Sequence, residues 1–208
     1  VPAGAVLDVG SPADTGLRTY VAVRGGLDVP LYHGSASTFT LGGFGGITGR
    51  AVATGDVLGV ADTDTDREPA PVPAEGRPEF THTWHLAVTE GPQPAPDYFT
   101  PEDISQFYDT TWTVQSHANR TGIRLDGPKP TWSRTDGGDA GLHPSNLHDN
   151  PYSVGALNVS GDTPILLGPD GPSLGGFACP LTVVSGHRWK LGQIRPGDSL
   201  RFVPVTDA

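Results

Sequence analysis

The clearest alternation of apolar and polar positions is "THTWHLAV", residues 81–88, where Trp84, Leu86 and Val88 fall on one side and a half-buried strand is predicted. Downstream, "WTVQS", "GIRLDGP", "YSVGALNVSG", "TPILLGP", "LTVVSG" and "DSLRFVPV" predict further short strands. Turn residues separate them at the spacing of a barrel or a sandwich. One stretch has the other period. "TPEDISQFYDTTW" places Thr100 as an N-cap, Pro101 at the first helical position, acids in the first turn, and Ile104, Phe107 and Tyr108 on one face, which predicts a helix.

Upstream the pattern is looser. "LRTYVAV", residues 17–23, is β-branched and aromatic and predicts a strand closed by a turn at Gly25-Gly26. Residues 25–52 interleave glycine with short apolar pieces, as loops do. Residues 62–77, "DTDTDREPAPVPAEGR", are acidic and then proline-rich without apolar periodicity, and read as a linker. The expected organisation is mainly β: a partial N-terminal β unit over 1–65, a Pro-rich linker over 66–79 and a β-barrel domain with one or two short helices over 80–208. "TGDVL" at 54–58 and "PGDSL" at 196–200 repeat a Gly-Asp turn before an apolar run, for which common turn chemistry is sufficient.

Composition narrows the function. Lys and Arg number 13 against 23 Asp and Glu, a net charge of −10, so phosphate-backbone binding has no electrostatic footprint and no nucleic-acid partner is expected. The 29 glycines and 21 prolines fall between apolar segments, the profile of a turn-rich β protein. The single cysteine, Cys179, allows no intramolecular disulfide and suits a reducing compartment, so a cytoplasmic location is expected. No apolar run has the length of a membrane span, and no membrane association is expected.

Chemistry concentrates in "GLHPSNLHDNPYSVGAL", residues 141–157. His143, His148 and Asp149 could suggest a metal, but the two histidines are five apart, Pro144 opposes a helix, and no HExxH or facial triad occurs, so none is expected. Ser173 in "GPSLGG" is not a nucleophile elbow, and Cys179 reads as a half-buried structural cysteine. "TLGGFGG" and "GPDGPSLGGF" match no phosphate-loop motif, yet their glycines allow backbone to approach a flat ligand closely. "NRTGIRL", residues 119–125, and "HPSNLHDN" supply guanidinium, carboxamides and a carboxylate. This set could hold a small neutral amide such as urea, or could equally satisfy turn backbones while Arg120 pairs on the surface.

"SHANRTGIRLDGPKPTW", "GLHPSNLHDNPYSVGALNVSGDTPILLGPDGPSLGGFACPLTVV" and "LGQIRPGDSLRFV" resemble the carboxyltransferase region of biotin-dependent urea carboxylase, within the wider allophanate hydrolase subunit 2 or KipA-like family. "TGLRTYVAVRGGLDVP" and "GSASTFTLGGFGGITGR" extend the resemblance over nearly the whole chain. It implies a cyclophilin-like β-barrel and transfer of a carboxyl group from carboxybiotin to urea, giving allophanate. It also implies biotin carried by another domain, with ATP and magnesium confined to a separate biotin carboxylase component. The implied partners are urea, those two domains and a subunit 1-like half. The chain begins like the middle of a subunit 2 unit, so inactivity alone is expected, and dimers or a covering partner near residues 17–23.

Under this resemblance Asp149, His148 and Arg120 are the expected catalytic residues, with Asp149 accepting urea N–H bonds, His148 orienting and Arg120 donating. Asn146, Asn150 and Asn119 are expected to bind substrate. Gly175, Gly176, Ser173 and Phe177 are expected to bind biotin. The alternative is an accessory or regulatory protein of the KipA-like or 5-oxoprolinase type, acting through protein contacts.

Overall fold

The computed structural model describes residues 1, 4–12, 14–63 and 70–206. It forms two compact units, one of Thr19–Arg77 and one of Val1–Arg18 with Pro78–Ala208. Of the expected linker, residues 66–69 lie outside the described residues.

Within Thr19–Arg77, β1 (Thr38–Phe39) and β2 (Phe44–Gly45) pair antiparallel, and Leu27 bridges Val60. The strand expected over residues 17–23 is absent. The amides of Leu17 and Arg18 both donate to the Gln193 side-chain oxygen at 3.0 Å, and the side chains of residues 20–23 beyond them are exposed. β-propensity without a neighbouring ladder makes no strand. The turn that follows is as expected, with the Gly26 amide bonded to the Val23 carbonyl at 3.0 Å.

In the larger unit, β3 (Thr83–Glu90) is followed by α1 (Pro101–Asp109), β4 (Trp112–Val114), β5 (Gly122–Asp126), β6 (Asn146–Pro151), β7 (Ala156–Ser160), β8 (Thr163–Leu167), β9 (Leu174–Phe177), β10 (Leu181–Val183) and β11 (Ser199–Pro204). Seven strands close a barrel in the order β10-β3-β11-β4-β5-β8-β7. This is the mainly β, cyclophilin-like architecture expected. β3 and β11 run parallel from Thr83↔Ser199 to Val88↔Pro204, and the remaining pairs are antiparallel. Closure leaves no barrel edge unpaired. Trp84, Leu86, Trp112, Leu125, Leu157, Leu166, Leu181 and Leu200 fill the interior, each at most 1% exposed.

Two carboxylates organise polar backbone around this core. Asp103 completes the α1 capping box with Thr100 and also accepts the amides of Thr131 and Trp132 at 2.7 and 3.0 Å. Asp198 accepts from the Trp84 indole at 2.8 Å and from the Arg195 amide at 3.0 Å, and meets His82 Nδ1 at 2.9 Å. The turn recurs at Asp56, which accepts the Ala53 amide at 2.8 Å; Gly55 and Gly197 have φ of +92° and +88°. In both turns Asp bonds the amide three residues back, and a strand follows only at Ser199. The "PGDSL" and "TGDVL" resemblance is thus turn chemistry.

Candidate functional site

Strand alternation gives two faces to the wall made by β5, β8 and β7. Ile123, Leu125, Leu166, Leu157 and Val159 belong to the core, so Gly122, Arg124, Ile165, Leu167, Asn158 and Ser160 stand on the outer face. The register sets Arg124 beside Ile165 and Ile165 beside Asn158, a row of three across the wall. β7 is nevertheless buried along both faces from Ala156 to Val159. Something must cover its outer side.

The cover is a two-stranded ribbon of β6 and β9. These are the "HPSNLHDN" and "GPDGPSLGGF" segments, read from the sequence as separate loops and found paired with each other. Asn146 pairs with Phe177 and Asn150 with Gly175, so four residue steps on β6 face two on β9. The excess is a bulge at Leu147, His148 and Asp149. The Tyr152 phenol splints it, accepting from the Phe177 amide at 2.6 Å and donating to the Phe177 carbonyl at 3.0 Å. A Cβ on Gly175 would lie 2.5 Å from Tyr152 Cε2, so the ring can lie there only beneath a glycine.

Between ribbon and wall lies a pocket of about 450 Å³. The wall contributes Gly122, Arg124, Asn158, Ser160, Ile165 and Leu167. The ribbon contributes Tyr152, Leu174, Gly175, Gly176 and Phe177, and the turn entering β5 contributes His117 and Asn119. No Asp or Glu is among the lining residues. Burial, with repulsion from the nearby Cys179 and Asp149, raises the Tyr152 pKa, so its phenol stays a neutral donor and acceptor. Cys179, 1% exposed and beneath Asn158, has its thiol pushed up to about 12 by burial. It is fully rather than half buried.

Gly175, Gly176, Phe177 and Asn119 line the pocket. Asn119 Oδ1 also accepts the amides of Thr121 and Gly122 at 2.8 and 3.3 Å. The other expected residues stand elsewhere. Asn150 is buried, its carboxamide paired with that of Gln93 at 3.1 and 3.3 Å. Arg120 grips Asp170 through Nε and Nη2 at 2.7 and 2.9 Å. Asn146 is fixed by its carbonyl, which accepts from Arg134 at 2.8 Å. Ser173 gives its carbonyl to the Tyr152 amide at 2.8 Å. His148 and Asp149 are exposed on the bulge, with the His148 amide donating to Asp139. Arg124, Asn158, Ser160, Tyr152 and His117 were not singled out from the sequence. The alternation in "GIRLD" and "ALNVS" marks the first three as outward-facing, but which outer face is covered depends on the distant ribbon.

Among the described residues no group of three or more His, Cys, Asp or Glu could hold a metal ion, and no helix is long and apolar enough to cross a membrane. His143 instead bridges the buried Ser145 hydroxyl, at 3.0 Å, and Asp162, at 3.3 Å.

Residues 1–204 match the family model described as the carboxyltransferase domain, subdomains A and B. The chain belongs to this family. It is 46% identical over 212 residues to the urea amidolyase of Saccharomyces cerevisiae, covering 99% of the chain and 12% of that protein. The Kluyveromyces lactis urea carboxylase crystal structure superposes with a TM-score of 0.86 at 46% identity, over 93% of this chain and 18% of that one. A 5-oxoprolinase component of Escherichia coli is 30% identical over 90% of this carboxyltransferase domain and 56% of its own length. This domain therefore spans only about an eighth of the length of that urea amidolyase.

Proposed function

We propose that this domain is the part of a urea carboxylase that passes a carboxyl group to a urea nitrogen, giving allophanate. The observation that carries the reading is the pocket itself. The "HPSNLHDN" and "GPDGPSLGGF" segments, within the stretch that resembles urea carboxylase, build its cover, and the interior offers donors and glycine backbone with no acid. The 46% identity to the yeast urea amidolyase supports it over the 5-oxoprolinase-type reading, whose relative is 30% identical.

The residues present fit a flat ureido ring. Gly122, Gly175 and Gly176 line the pocket with backbone alone. Ile165, Leu167 and Leu174 offer an apolar wall beside them. Biotin, carried on another domain in its N-carboxylated form, supplies the carboxyl group when bound. Gly175, Gly176 and Phe177 would hold the ring against the wall. The Asn119 carboxamide and the Ser160 hydroxyl, both in the pocket lining, orient urea. The biotin carrier, the biotin carboxylase with its ATP and magnesium, and a subunit 1-like half are the proposed partners.

The test uses the assembled enzyme carrying this domain. Ser160→Ala should lower allophanate formation by about tenfold or more, while ATP cleavage driven by free biotin persists. A parallel fall in both makes Ser160 structural. No fall in either leaves Ser160 without a role in the transfer.

A further inference from the structure

We infer that the pocket contains a carboxylate subsite whose receptor is the Arg124 guanidinium. Arg124 stands on the outer face of β5 and lines the pocket. Among the described residues no protein group forms an ion pair or hydrogen bond with its side chain, whereas Arg50, Arg120 and Arg134 are each held by a carboxylate. Of the residues lining the pocket, Arg124 carries a fixed positive charge and none is Asp or Glu.

The surroundings extend the same preference. Asn119 commits its oxygen to the Thr121 and Gly122 amides, which leaves its NH₂ as the donor available in the pocket wall. His117 also lines the pocket. Ile165, beside Arg124 in the row across the wall, is apolar and offers no competing polar group to the exposed guanidinium. A planar guanidinium matches a carboxylate through two parallel N–H bonds, which an amide cannot reproduce because half of its edge donates.

This deepens the proposed function and rests on it for the ligand's name: allophanate has a carboxylate at one end and an amide at the other. Arg124 then discriminates the carboxylated product from its neutral analogue, and is a specificity-determining residue rather than part of the fold.

The experiment titrates the 208-residue chain with allophanate and with biuret, its neutral isostere, at mildly alkaline pH, by calorimetry. Wild type should prefer allophanate by about tenfold or more, the worth of a charge-assisted pair over a neutral one. Arg124→Gln should abolish the preference while leaving biuret binding and the melting temperature unchanged, and Arg124→Lys should restore part of it. A variant that weakens both ligands equally, or retains the preference, overturns the subsite. If wild type binds neither ligand, oxamate against oxamide is the second pair. Arg124-dependent preference for oxamate supports the subsite and removes the urea reading, and no preference overturns the subsite.

Discussion

The Tyr152 phenol oxygen bonds both backbone polar groups of Phe177, 25 residues away, taking the amide at 2.6 Å and giving to the carbonyl at 3.0 Å. The side chain replaces ladder bonds where the β6 bulge draws β6 away from β9. Tyr152→Phe leaves those two groups in a part-buried position without that partner. The expected cost is about 1–3 kcal/mol. Denaturant unfolding measures it, and hydrogen exchange should show the Phe177 amide losing protection before those of the barrel strands.

Asp103 connects the start of α1 to the segment at Thr131 and Trp132, and it is 3% exposed. Trp132 has φ of +66°, a conformation costly for a bulky residue and held here by the carboxylate and by packing on Phe99. Asp103→Ala removes the carboxylate half of the capping box and leaves the Thr100, Thr131 and Trp132 amides without that partner. A loss on the order of 2–4 kcal/mol is expected, measured as a lower urea midpoint with an unchanged slope.

His82 lies between Asp198 and Asp14, and hydrogen bonding first to Asp198 and then to Asp14 raises its pKa above the ordinary 6.5. With the folded pKa above the unfolded one, the stabilisation is fully present below about pH 6.5 and is lost as pH rises through the folded value. Wild type should lose stability across that window relative to His82→Gln. NMR titration of the ring checks the cause; a folded pKa below 6.5 would contradict it.

Burial holds the Cys179 thiol near 12, so thiolate is scarce at about pH 8. Iodoacetamide should label it orders of magnitude more slowly in native than in denatured protein. Rapid native labelling would contradict the buried position beneath Asn158.

The helix was legible because its signals are local: Thr100, Pro101 and Asp103 stand within one turn. The barrel strands were legible for the same reason, as in the alternation of Trp84, Leu86 and Val88. The ribbon was not, because three bulged residues break the period of two and the glycines of β9 give little β-propensity, so only pairing at long range makes these segments strands. Residues 17–23 failed in the opposite sense, with propensity but no partner ladder. Arg120 and Arg124 have the same chemistry four residues apart. What separates them is Asp170, which occupies one, and the ribbon, which makes the other a pocket residue.

Asn158 lies on the covered face of β7, 4% exposed and lining the pocket. The most direct measurement of the proposed function is allophanate formed from urea and bicarbonate alongside ATP cleaved, in the assembled enzyme carrying wild type or Asn158→Leu. A transfer site beneath the ribbon predicts that wild type couples ATP cleavage to allophanate, and that the variant still cleaves ATP with free biotin while allophanate falls about tenfold or more. Unchanged coupling in the variant, or no allophanate from wild type, would contradict it.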